Sequence, residues 1–588
     1  MDPVEKQAIE KSDNHAQVHG YMGGVEIGGD DNSCQRSPAQ TEAGVDNDND
    51  HVNQIKVRSV SSGSPGRYKS RFGMAFVGSQ VCALVFAAIV STVAVKLDAG
   101  AKLIWFFSAS LISQAVIAPF SGPLADLYGR KPITLLGVLS SMVGMILCAA
   151  TPNGNGFIAG QTLTGMGTAI QELMAISVIT ELVPTQSRGY YSALLVSSFL
   201  PFAPASLYGQ LIARANWRYC GCMIAIWNFL TAVVIGLFYN PPPRSNSAGL
   251  SHSELLRRID YIGGLIVTAG ILLFLIGLNW GGQAYPWTSA QVIACVVIGG
   301  CLVLLFLAYE AFWAPFPMFP RRLLLHPRSF VALMIVIFMA GINYIPILFF
   351  WVLQSIAVYD SSHLQAGIRT LPFGFCILGG AIISGVMLSF FKQHLRVIMT
   401  CFCVIQTIAI ACMTTADTHN INTVWGPLTI GLLSVGGLLV PNQVIVTVIS
   451  PDDLIATATS LTVAVRAVGQ VVGTSILYSQ FVSKITSNAY KYFVPAALEV
   501  GIYNTTILAD MVPTLTGIPF SEYVQSLPEV DTAEKWNLLH EAVLMTFDTA
   551  FQKVYLISIA FGAIAIVASL FLGDLSKLMD RHIAVPYF

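Results

Sequence analysis

The sequence predicts an all-α integral membrane protein with fourteen transmembrane helices and both termini on the cytoplasmic side. Three observations carry that reading. The 588 residues are 54% hydrophobic and only 11% charged, where soluble domains carry about 25% charge. The apolar residues fall into runs close to the ~20 residues a helix needs to cross the hydrocarbon. Lys and Arg gather at alternate ends of those runs, which sets an orientation.

Residues 1-71 precede the first run and are hydrophilic. Stretches such as "VDNDNDHVNQ" and "SVSSGSPGR" cannot bury a core, and no signal-peptide pattern opens them, so a disordered cytoplasmic tail is expected. The first six spans are read at 72-95, 103-124, 132-152, 156-181, 190-213 and 218-239, forming an N-terminal half over 72-239. Spans 7 and 8, at 260-280 and 289-310, lie in a linker over 240-329. The C-terminal half covers 330-573, with spans at 330-354, 366-390, 396-414, 424-448, 454-481 and 551-573. Loops between the first thirteen spans are short, residues 482-550 form one long polar connection, and 574-588 are a cytoplasmic tail.

With the N-terminus inside, the cytoplasmic ends carry Arg67, Lys69, Arg71, Arg130, Lys131, Arg188, Arg244, Arg257, Arg258, Arg321, Arg322, Arg328, Lys392 and Arg396. The short outer loops carry only Lys96, Lys102, Arg214, Arg218 and Arg369. An even span count returns Lys577 and Arg581 to the cytoplasm. The long loop then lies outside, and it holds an N-x-[ST] sequon at Asn504, where glycosylation is expected.

Several function classes find no support. A net charge of -1 without a basic helix or zinc-finger pattern gives nucleic acid nothing to bind. Of the eleven cysteines, all but Cys34 sit in or against apolar runs. The pairs Cys220/Cys222 and Cys401/Cys403 are two apart, so on a helix they point about 200° away from each other and neither chelate nor bridge. "DNDND" at Asp46 to Asp50 opens like a calcium loop, but His51 stands where Gly is needed and Val57 where a bidentate Glu should be. No metal, no cofactor and no enzymatic activity are expected, because hydrolase, Walker and zinc-protease motifs are all missing.

Within the spans, the most polar turn is "GPLADLYGRK", Gly122 to Lys131. Arg130 and Lys131 suit a cytoplasmic turn. Gly122 and Gly129 allow close helix approach and a tight bend, and Asp126 beside two cations can form a charge-assisted latch. Two ionisable groups lie deep in spans, Glu172 in "TAIQELMAIS" and Arg466 in "LTVAVRAVGQ". Each costs about 2.5–3.5 kcal/mol to insert, so both are candidates for proton coupling or substrate contact. The alternatives are a structural hydrogen bonder at Glu172 and a clamp on backbone carbonyls at Arg466. Gln161, Gln171, Asn343, Tyr344 and Gln443 are candidate cavity-lining groups, or else polar links between helices. Gly165 and Gly167 read as packing glycines, since no strand precedes them.

The spacing G-x-L-A-D-x-x-G-R-K resembles the signature loop between spans 2 and 3 of the major facilitator superfamily. "ANWRY" at Ala215 to Tyr219 and the Pro/Ala-rich "LPFAPASLYGQ" agree. "DYIGGLIVTAGILLFLIGLNWGG" with the following "YPW" and "LAYE", and "ELVPTQSRG" at Glu181 to Gly189, resemble the fungal trichothecene efflux pump family. The resemblance covers roughly 72 to 573. It implies a 6+2+6 arrangement, a monomer in the fungal plasma membrane or an endomembrane, and export of a small apolar or amphipathic molecule, such as a mycotoxin or drug, against proton entry. Three positions depart from the drug:proton antiporter pattern. Gln161 stands where an Arg is usual, Ala203-Pro204 and a lone Gly209 replace Gly-Pro and Gly-Gly, and the first span has no carboxylate. These bear on coupling rather than on fold. The resemblance places Glu172 on the cavity and span 13 nearer the interface between halves, so a direct Glu172–Arg466 pair is not the favoured arrangement. Two other readings stay open on this scaffold, uptake of a ferric siderophore and a non-transporting receptor.

Overall fold

The computed structural model describes residues 65–240, 254, 257, 259–359, 363–416, 420–503, 530, 532–575 and 578–579. The expected N-terminal tail up to residue 64, the sequon at Asn504 and the chain from residue 580 onward lie outside the described residues. Among the described residues, fourteen helices are long and apolar enough to cross a membrane. They are α1 (Phe72–Lys96), α2 (Leu103–Tyr128), α3 (Arg130–Ala150), α4 (Gly154–Leu182), α5 (Thr185–Asn216), α6 (Arg218–Phe238) and α7 (Tyr261–Trp280). Then follow α8 (Ala290–Phe312), α9 (Pro327–Ala357), α10 (Leu364–Phe390), α11 (Lys392–Thr415), α12 (Asn422–Ile449), α13 (Asp452–Val500) and α14 (Ala533–Leu570). Among the described residues there is no β-strand, only an isolated bridge between Gly281 and Tyr285.

Local chemistry marks the helix starts. The Asn153 side chain accepts from the Gly156 N–H at 2.8 Å and Asp260 from the Gly263 N–H at 2.9 Å, so α4 and α7 begin with capped donors. Gly129 joins α2 to α3 at φ 94°, a backbone state that side chains resist. Among the spans interrupted where proline removes a donor are α5 and α9. Inside α5, Ser197–Phe202 tightens to a 3₁₀ turn around Pro201, and inside α9 Pro346–Phe350 widens to a π turn.

Helices α1–α6 pack among themselves, as do α9–α14, and the two groups meet along α2 with α13 and along α5 with α10. Helix α7 packs on α8 and also touches both α2 and α13, whereas α8 is the span with least of its surface buried. Small residues permit the close seams. A Cβ on Gly122 of α2 would meet the Ser460 hydroxyl and come within 2.5 Å of the Ala456 carbonyl oxygen on α13.

The long polar connection expected over 482-550 is shorter. Helix α13 continues to Val500 and α14 begins at Ala533. Hydropathy misses the α13 extension because "KITSNAYKYFVPAALEV" interrupts its apolar residues with Lys484, Asn488, Lys491 and Glu499 and holds a proline. The extensions of α13 and α14 are helical because they bury against each other: Ile485, Phe493 and Val500 share one buried apolar cluster with Leu539, Val543 and Phe547. The Asn488 amide also donates to the Thr546 carbonyl at 3.1 Å.

Candidate functional site

The turn between α2 and α3 holds a buried charge cluster. Arg130 pairs with Asp126 at 2.8 Å and with Glu181 at the end of α4. Asp126 also accepts from the backbone N–H of Thr457 at 3.0 Å and from its hydroxyl at 2.7 Å, at the start of α13. The carboxylate therefore ties one six-helix group to the other. Nearby, the buried Arg188 donates to the Thr447 carbonyl at 2.6 Å and Lys392 donates to Gln186 at 2.8 Å, both across the same divide. Gly122 lies in the α2–α13 seam and Gly129 makes the bend. Lys131 points elsewhere, donating to Asn240 at 3.0 Å on the exposed side.

Above this layer lies a central cavity walled by α1, α2, α4 and α9–α13, with Glu172, Arg466, Gln161, Tyr344 and Gln443 in its lining. Arg466 donates to both carboxylate oxygens of Glu172, at 2.7 and 2.6 Å. The direct pair, which the sequence left possible but did not favour, is the arrangement found. Ala118 of α2, Ala169 of α4 and Val463 and Ala464 of α13 pack together one turn away. Their small side chains let α13 approach α4 closely enough for the long Arg466 arm to reach. A buried charge pair survives in the membrane only when mutually compensated, and this one is.

Of the candidate cavity-lining groups, Gln171 and Asn343 lie outside the lining and take the other reading, polar links between helices. Gln171 is buried inside the first group and its amide donates to Asn228 of α6 at 3.0 Å. Asn343 faces α14, where its amide nitrogen donates to the Ser558 carbonyl and its oxygen accepts from the Gly562 N–H, each at 3.0 Å. On a helix, neighbours in sequence point about 100° apart. A polar residue in a span therefore reveals cost but not direction, and Tyr344 enters the cavity while Asn343 turns away.

Sequence reasoning missed Glu181 and Thr457 in the turn cluster, and Gln80, Gln114, Gln406, Asn442 and Gln470 in the lining. A lone amide inside an apolar run was signal enough for the latter. Thr457 carried no signal, because its role comes from a neighbour 331 positions away. Among the described residues no group of His, Cys, Asp and Glu could hold a metal ion.

Comparison with known proteins agrees with this geometry. A family model described as "Fungal trichothecene efflux pump" matches residues 59–587. The trichothecene efflux pump TRI12 of Fusarium sporotrichioides is 26% identical over 489 residues, covering 80% of this chain and 79% of the relative. The MFS-type efflux transporter ffsH of Aspergillus flavipes is 25% identical over 474 residues, covering 79% of each. Among solved structures, a bacterial homologue of the human lysosomal transporter Spinster superposes with a TM-score of 0.52 at 12% identity, covering 87% of this chain and 98% of that one. At that identity the likeness speaks for the fold alone.

Proposed function

The chain belongs to the fungal trichothecene efflux pump family, and from that premise we propose that it exports a small, uncharged, amphipathic molecule across the plasma membrane in exchange for protons. The family consists of transporters rather than enzymes, and its curated relatives are efflux proteins of the major facilitator superfamily. The observation that carries the coupling is the Glu172–Arg466 pair, which joins the two six-helix groups inside the cavity.

The charge bias of the loops supports a cytoplasmic position for the α2–α3 turn. The cluster at Asp126 then closes the cytoplasmic face while the cavity extends away from it. A proton arriving from outside and binding Glu172 cancels the charge that holds Arg466. The α4–α13 contact weakens, and the groups can rock until the cytoplasmic face opens. There Glu172 loses its proton and the exported molecule enters. Alternating access around one midplane site supplies both exposures, and exchange follows because proton and cargo favour different states. The substrate and partner set is thus one small molecule, protons and lipid, handled by a monomer.

Purified protein in liposomes with an imposed pH gradient and a radiolabelled trichothecene tests the reading. Wild type should accumulate label uphill, and Glu172→Gln should lose uphill movement while keeping exchange at equal pH. Uphill transport by that variant at wild-type rate would make Glu172 structural and move coupling elsewhere.

A further inference from the structure

The cavity lining holds two buried amides that each leave one atom unpaired. Nε2 of Gln161 and Oδ1 of Asn442 have no hydrogen-bond partner among the described residues. Both side chains line the cavity, and both residues are more than nine-tenths buried, with 4% and 8% of their surface exposed. A buried polar atom left unpaired costs roughly 1–3 kcal/mol, so each marks a place where something else supplies the bond.

The two lie at opposite ends. Gln161 and Glu172 share α4 and stand eleven positions apart, about 16 Å along the helix axis. Asn442 belongs to the Glu172 end. Its neighbour Gln443 accepts from the Thr462 hydroxyl at 2.8 Å, and Thr462 sits one turn before Arg466, which holds Glu172. Between the ends the wall includes Phe86, Leu111 and Ile337. The charged lining residues, Glu172 and Arg466, neutralise each other.

We infer that Gln161 and Asn442 are two hydrogen-bonding stations for one elongated, uncharged cargo with a polar group at each end and an apolar middle. This rests on the transport reading above, to which it adds the shape and chemistry of what is carried. Gln161 donates to an oxygen at one end, and Asn442 accepts from a hydroxyl or N–H at the other. A charged end group is disfavoured, because it would have to break the Glu172–Arg466 pair to find a counter-ion.

Binding to purified full-length protein in lipid nanodiscs, read by tryptophan fluorescence, tests this with 1,12-dodecanediol and 1-dodecanol as probes, each corrected for partition into protein-free discs. Gln161→Met and Asn442→Leu should each weaken dodecanediol about 3- to 10-fold, the scale of one lost hydrogen bond. Dodecanol, with one polar end, should respond to at most one of the two substitutions. If Asn442→Leu fails to fold, Asn442→Ser shortens the same contact. Unchanged diol affinity in both variants, or equal losses for diol and mono-alcohol in both, would overturn the two-station assignment. Because binding needs no proton gradient, a protein that shows this pattern yet moves nothing in liposomes would sink the transport reading and leave the stations intact.

Discussion

At the residue scale, Asp126 shows how one side chain does two jobs that the sequence could only half announce. Its position between glycines and cations was legible as a latch, and the structure gives it Arg130 on its own turn. The partner that matters for movement, Thr457, comes from the other six-helix group and takes both of its bonds on the same carboxylate oxygen. Bonds to an ionised acceptor are roughly twice as strong as neutral ones. Asp126→Asn should therefore loosen the closed face and lower the initial transport rate about tenfold at matched surface expression, within the 1–3 kcal/mol usual for coupled equilibria. A wild-type rate would reduce the turn to an orientation signal. Glu172 was equally legible as costly, but its pairing with Arg466 was not. Helix-to-helix distance depends on the small residues of three separate spans, and single-sequence patterning is silent on which spans meet.

At the element scale, all fourteen spans were legible because the membrane forces a long apolar run on every crossing. The ends of α13 and α14 were not, since beyond the hydrocarbon a helix is held by its partner rather than by hydropathy. The signal that could have found the α14 extension is periodicity: Leu539, Val543, Phe547 and Phe551 recur every fourth residue and all are buried. Phe547→Ala gives a direct check. In a solvated loop it would change nothing. In the packed helix, where Phe547 is 1% exposed against Phe481 and Phe551, it should cost about 3–5 kcal/mol and lower the melting temperature of the purified protein by several degrees. An unchanged melting curve would count against the extension.

At the scale of the whole molecule, the inserted pair α7–α8 bears on how the two groups move. Near the end of α7 remote from the α2–α3 turn, the Asn279 amide donates to the Ser108 hydroxyl of α2 at 2.6 Å. In the following loop, the Trp287 indole donates to the Ser479 hydroxyl of α13 at 3.1 Å. One short hairpin thus grips both sides of the α2–α13 seam at the face opposite the Asp126 cluster. Any further parting of α2 from α13 at that face must break one grip, so the hairpin biases the molecule toward states in which those helix ends stay together. A ligand-free bias of this kind is set by the difference in bonding between states. Two neutral hydrogen bonds at about 0.5–1.5 kcal/mol each can hold the ratio of states by roughly tenfold or more. The double variant Asn279→Leu with Ser479→Ala should accordingly raise the fraction with separated helix ends, seen as a longer-distance population between spin labels on α2 and α13 near that face. It should do so without altering the Glu172–Arg466 pair, which joins α4 rather than α2 to α13. An unchanged distance distribution would mean that the hairpin rides on one group and leaves the rocking motion unbiased.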